Sequence, residues 1–270
     1  MLHIIQYIQS QELNKQMKIV HWFAVTIMLL VITLLFSAGL VNATELRILA
    51  PNAVKETITE IASRYERATG DRVVLSWAGT EAITKQISDG NMFDVVISTL
   101  QSIDKLEKEG KLASGRRVDF AKSAIGVAVR AGLPLADISS VDALKQLLLQ
   151  AKVIAISSGT SGRYLTELFQ RLGIAEQIKG RIKQPPSGAQ IGEMLAHGEA
   201  DLGFQQVSEL IHVNGIVYLG PLPSEIQSIT IYSAGIHSAA SAPTAAMIFI
   251  KMLTAPNFGA FIIKTGMEPA

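Results

Sequence analysis

Four times after residue 44 the chain repeats one hydrophobic pattern: an apolar run, a few small or hydroxyl-bearing residues, then a segment with apolar positions at helical spacing. The clearest copy spans Val153 to Gly173, where Leu165, Leu168, Phe169 and Leu172 fall at i, i+3, i+4 and i+7. Ser161 stands where a helix N-cap belongs, and Gly173 where a helix stops. Leu46 to Ala50, Arg72 to Trp77 and Asp94 to Ser98 read as strands, each followed by a helix: Lys55 to Arg67, Glu81 to Ser88 and Ser102 to Glu109. Further on, Ser123 to Arg130 reads as a strand, Ser140 to Gln150 as a helix, and Leu202 to Gln205 and Ile229 to Ile236 as strands. Pro185 to Gly188 turns into a helix with Ile191, Met194 and Leu195 inward, and Thr244 to Thr254 is an apolar helix.

Strands alternating with helices of this length predict an α/β class, with mostly parallel sheets flanked by helices. The rhythm divides the chain at residues 1–43, 44–122, 123–235 and 236–270. The second and third blocks are the two lobes, and ligands in open α/β sheets lie off the carboxyl ends of strands. The turns at 51–53, 78–80, 158–161 and 187–188 then face one another across a cleft.

The first block is read as a leader. Met17-Lys18 precedes a nearly unbroken apolar stretch from Trp22 to Leu40, and Val41-Asn42-Ala43 has small residues at the positions a signal peptidase requires. Cleavage is expected after Ala43 and translation from Met17, the preceding residues being unlike an n-region. An uncleaved membrane anchor is the alternative. The chain has no cysteine, which fits a periplasmic product with neither disulfides nor a lipid-modified N-terminus. Its formal charge is +1, and no basic stripe points to nucleic acid.

A strand that enters a helix through Ser, Thr and Gly presents backbone N–H groups at the positive end of the helix dipole. Four such ends offer about two charge equivalents, the amount a divalent oxyanion brings. The candidate donors are the backbone of Asn52 and Ala53, Gly79 and Thr80, Thr160 and Ser161, and Gly188, with hydroxyls from Thr80 and Ser161. The competing reading is that these residues only cap their helices. Arg163 can supply a cation, and one of Gln205 and Gln206 should point into the cleft. Asp94 is expected to hold a neighbouring turn. His197, His212 and His237 lack metal-ligand spacing. No nucleophile elbow, Walker lysine loop or His-Glu-x-x-His helix is present, so neither a catalytic residue, a metal nor a cofactor is expected, and the chain reads as a non-enzyme.

The order of Leu46-Arg-Ile-Leu-Ala-Pro-Asn-Ala53, Lys85-Gln-Ile87, Phe93-Asp-Val-Val-Ile-Ser98, Gly162-Arg-Tyr164, Ala200-Asp-Leu-Gly-Phe-Gln-Gln206, Ser208-Glu-Leu210 and Gly266-Met-Glu-Pro-Ala270 resembles the periplasmic solute-binding proteins of ABC importers, in their molybdate-binding-like branch. The resemblance implies the two-lobed type II periplasmic binding protein fold, with the C-terminal segment returning to the first lobe. It also implies molybdate or tungstate held by neutral donors, a membrane permease as partner, and a monomer that closes about a hinge near residues 122–125 and 234–237. By position the ligand contacts fall on Ala53, Thr80, Ser161, Gly188 and Gln206. Ala53 stands where the family has a serine and Gln206 where it has a tyrosine, so a small organic acid or a sulfate-like ion is the alternative ligand. A sensor role and a dehydratase- or deaminase-like enzyme are the competing functions.

Overall fold

The structure, a computed structural model, describes residues 17, 21, 22 and 43–270. The chain divides into Met1–Ala43 and Thr44–Ala270, and the fold is that of the second unit. Apart from those few positions, the expected leader and its cleavage site lie outside the described residues.

Strand β1 (Glu45–Pro51) runs into a short 3-10 turn, Asn52–Val54, and then helix α1 (Lys55–Thr69). Helix α1 buries Ile58, Ile61, Ala62 and Tyr65, one face at helical spacing, and stops at Gly70 in the left-handed conformation that only glycine adopts without strain. There follow β2 (Arg72–Ala78), α2 (Thr80–Ser88), the wholly buried β3 (Val95–Thr99) and α3 (Leu100–Lys108). The long strand β4 (Val118–Arg130) leads to α4 (Val141–Gln150), β5 (Ile154–Ile156), α5 (Thr160–Arg171), α6 (Ala175–Ile178) and β6 (Ile182–Lys183). The chain continues through α7 (Ile191–Ala196), β7 (Leu202–Gln206), α8 (Val207–Leu210), β8 (Ile216–Pro221) and β9 (Ile229–Ile236). It ends with α9 (Pro243–Leu253), α10 (Gly259–Lys264) and β10 (Glu268–Pro269).

The strands are ordered β2-β1-β3-β9-β4-β7-β5-β6, with β8 and β10 also paired to β4. Both flanks are parallel, as βαβ units require, and the strands around β4 and β9 are antiparallel. Strand β4 does two jobs. Its first half, to Ala124, pairs with β9, and its second half, from Ile125, pairs with β7 and β8.

The apolar residues divide accordingly. One core gathers Leu46, Ile58, Phe120, Tyr232 and Phe249, and another gathers Ile125, Leu144, Leu165, Phe204 and Leu222. Strand β9, assigned from sequence up to residue 235 to the end of the third block, lies between β3 and β4 and packs in the first core. Its alternation of apolar residues suits either sheet, and strand order alone decides which. Strand β8 escaped the sequence reading because Ile216 to Leu219 is half-buried and flanked by glycines. Two glutamines brace the passage between cores. Gln227 accepts from the Ile125 N–H at 2.9 Å and donates to its carbonyl at 3.1 Å.

Candidate functional site

The loops leaving β1, β2 and β5, and the loop entering α7, converge on a cavity of about 60 Å³ where residues of the two cores meet. Of the nine residues expected at the site, eight line it: Asn52, Ala53, Gly79, Thr80, Thr160, Ser161, Gly188 and Gln206. Arg163 does not. It sits on the outer side of α5, ion-paired with Glu81 and only partly buried.

At the starts of α2 and α5 the small residues do not act as side-chain caps. Helices α2 and α5 have Gly79 and Gly159 as N-caps, and neither end carries a side-chain cap. The same holds for Asn52–Val54 behind Pro51 and for α7 behind Gln190. Other helices do carry side-chain caps: Thr99, itself at the cavity, accepts from Ser102 N–H, and Ser140 from Ala143 N–H. The first N–H groups of a helix have no acceptor within it, so the ends of α2 and α5 keep donors that no side-chain cap satisfies, while at α7 the Ile191 N–H is taken by the Gln205 side chain.

Close packing brings these ends together. A Cβ on Gly79 would overlap the Ser187 hydroxyl and lie 2.6 Å from Gly188 N, so only glycine lets the two loops approach. Asn52 donates its side-chain amide to the Gly188 carbonyl at 3.0 Å, and the Ser208 hydroxyl donates to the Ala53 carbonyl at 2.7 Å. Ser157 and Ser161 share a hydrogen bond of 2.9 Å. Gln206, expected as an adjustable ligand donor, is spent elsewhere. With its amide oriented to suit its neighbours, it accepts from the Thr230 hydroxyl at 3.0 Å and donates to Ser123 and the Ala124 carbonyl at 3.0–3.2 Å. It braces the passage between the cores rather than reaching for a ligand.

Gln205, one of the two glutamines expected to point into the cleft, lines the cavity, and so do Glu209 and Tyr232, which were not foreseen as functional. Gln205 accepts from Ile191 N–H at 2.9 Å and donates to Glu209 Oε1 at 2.8 Å. Burial pushes the Glu209 carboxyl up to about 7, against hydrogen bonds from the Gln206 backbone, Gln190 and Gln205 that pull the other way. Burial and the Glu209 charge raise Tyr232 well above the ordinary phenol range, so it stays protonated and able to donate. Neither Lys nor Arg lines the cavity among the described residues. The site therefore combines neutral donors with one carboxyl that is partly protonated at neutral pH. The Ser208-Glu209-Leu210 string was visible in the sequence, but its depth and its neighbours were not.

The family model described as bacterial extracellular solute-binding protein matches residues 46–268, and the chain belongs to that family. Its two-lobed fold is that of periplasmic binding proteins. The periplasmic molybdate-binding protein of Azotobacter vinelandii superposes with a TM-score of 0.71 at 24% identity, over 82% of this chain and 98% of that one. In sequence the chain is 26% identical over 170 residues to the molybdate-binding protein ModA of the same organism, covering 63% of this chain and 67% of the relative. It is 35% identical over 232 residues to an aconitate isomerase of a Pseudomonas species, covering 84% of this chain and 88% of the relative.

That last likeness corrects the expectation of a non-enzyme: a relative matched along most of both chains is named as an isomerase. The expectation rested on missing nucleophile and metal motifs. Proton transfer needs neither, only a positioned group whose proton affinity suits the working pH.

Proposed function

We propose that this chain, exported to the periplasm as a monomer through a cleaved leader, binds a small unsaturated polycarboxylate of the aconitate kind and moves its double bond. The observation that carries the reading is Glu209, a carboxyl with a proton affinity near neutral pH in the wall of a cavity otherwise built from neutral donors. The isomerase relative supports the ligand class.

Aconitate is a propene tricarboxylate. Ionised Glu209 takes a proton from the carbon next to one carboxylate, breaking one C–H bond. The freed electron pair makes the new double bond while the old one becomes a carbanion delocalised into a neighbouring carboxylate. Glu209 then returns the proton to that carbon. One C–H bond is lost and one formed, the composition is unchanged, and neither oxidant nor cofactor takes part. The uncapped N–H groups of α2 and α5 and the phenol of Tyr232 supply the neutral donors that hold the added charge. Incubating the purified protein with trans-aconitate in deuterated water tests this. Formation of cis-aconitate is expected, with deuterium wherever the proton on Glu209 exchanges with solvent before its return, and an unchanged NMR spectrum refutes the reading.

A second reading has an observation of its own. A cavity of about 60 Å³ suits a compact oxyanion such as molybdate or tungstate, delivered to the permease of an ABC transporter, and the molybdate-binding relatives support it. Thermal unfolding with molybdate, tungstate, sulfate and aconitate separates the two, because a ligand at a hundred times its dissociation constant stabilises the fold by about 2.7 kcal/mol.

A further inference from the structure

The cavity has too little room for the whole of a tricarboxylate. A buried water needs about 10–15 Å³ measured in this way, so about 60 Å³ corresponds to a handful of waters, close to one carboxylate and its carbon. Beside it lies an open groove of about 640 Å³, and Thr80, Thr99 and Thr160 border both spaces. A ligand with one carboxylate on the uncapped helix ends has its remaining carboxylates beyond this threonine wall.

The groove differs from the cavity in charge. Its lining includes Lys85, Lys105 and Arg163 against the carboxylates of Glu81 and Asp89. Arg163 stands nearest the wall: its guanidinium lies 3.4 Å from the hydroxyl of Thr160 while it pairs with Glu81. The two side chains of that pair are 55% and 47% exposed, and an ion pair so open to water holds its partners weakly. An arginine fork matches a carboxylate in two parallel hydrogen bonds, so an incoming carboxylate can replace Glu81 without loss. The pair also joins α2 to α5, whose N-termini both face the cavity.

We infer that the groove is a second carboxylate subsite, and that Arg163 reads it by exchanging Glu81 for a carboxylate of the ligand. The inference rests on the polycarboxylate reading above. The subsite selects di- and tricarboxylates over monocarboxylates and compact oxyanions, since only the former reach past the threonines. Lys85 and Lys105 pair with Asp89 and Glu109 and add positive potential, while Arg163 is the cation that reaches the threonine wall, at Thr160, and so is the one placed to discriminate.

Calorimetric titration of the wild type, Arg163→Gln and Glu81→Gln with trans-aconitate, crotonate and molybdate tests this. Arg163→Gln is expected to weaken trans-aconitate by about tenfold or more and to change crotonate and molybdate by less than about twofold, a range too small for a lost charged hydrogen bond. Glu81→Gln frees the arginine and is expected to tighten trans-aconitate alone. Equal losses for all ligands with Arg163→Gln, or unchanged trans-aconitate binding in both variants, overturn the subsite while leaving the polycarboxylate reading intact. Failure of the wild type to bind trans-aconitate overturns both.

Discussion

The side-chain amide of Gln205 donates to Glu209 Oε1 across 2.8 Å, from the penultimate residue of β7 to the short helix α8. Because the Gln205 oxygen is fixed by Ile191 N–H, its nitrogen must face Glu209, and the carboxyl is held at the cavity wall by the loop that carries Gly188. The residue proposed to move the proton is thus positioned by the loop that closes the cleft. Glu209→Gln keeps the volume and one hydrogen-bonding face but cannot accept a proton from carbon. Turnover of trans-aconitate is expected to fall by at least about a hundredfold, the lower end for loss of a general base, with binding retained by calorimetry.

The proton affinity of Glu209 also sets a pH dependence of activity. A base of affinity about 7 in the free protein is ionised only in part below that pH. The ratio kcat/KM is therefore expected to rise about tenfold per pH unit up to about 7 and then level off. A flat profile between pH 5 and 8 would remove Glu209 from the reaction.

Stability responds with the opposite sign. The carboxyl has its ordinary value of 4.5 when unfolded and about 7 when folded, so between those values the folded protein retains a proton that the unfolded chain releases. Stability falls as pH rises through that window, by about 3 kcal/mol in all, and is flat above it. Glu209→Gln should match wild type in thermal unfolding at pH 4.5 and exceed it by several degrees at pH 8.

The proposed closure of the cleft depends on Gly79. Replacing it with Ala places a methyl group against Ser187 and Gly188, on two loops that belong to different cores. The cores themselves are untouched, so Gly79→Ala should unfold within a few degrees of wild type. Its ligand affinity should fall by more than about tenfold, because closing the cleft must then force those loops apart.

Asp94 serves the fold alone. It is 1% exposed and accepts from the backbone N–H of Arg47 and Ala242 and from the Ser241 hydroxyl at 2.8–2.9 Å. Burial alone would raise its carboxyl, but these donors outweigh burial and hold it below the usual value. That contribution is present above the unfolded value of 3.8 and is lost as pH falls through the lower folded one. Asp94→Ala leaves three donors unpaired and should destabilise by about 3 kcal/mol, read as a lower denaturant midpoint at unchanged slope.

Much of this was legible in the chain. The α/β class, the strand-turn-helix units and the eight expected residues that line the cavity follow from local pattern, because periodicity and small turn residues act over a few neighbours. Arg163 and Gln206 show where that information stops. Each has the right chemistry at the right place in the sequence, yet Arg163 faces the neighbouring groove and Gln206 is held by Ser123, Ala124 and Thr230. Which partner a polar side chain takes depends on groups tens of residues away, and only packing brings those into reach.

Hydrophobic periodicity and glycine placement thus determined, without any long-range information, that strands would feed helices through short turns of small residues. The tertiary structure alone decided that β9 would join the first sheet and that the starts of α2 and α5 would meet with no side chain capping them. It also decided that a glutamate on a four-residue helix would be buried deeply enough to hold its proton near neutral pH. The physical reason is that burial sets both the cost of a charge and the choice of its partners, and burial is a property of the assembled chain.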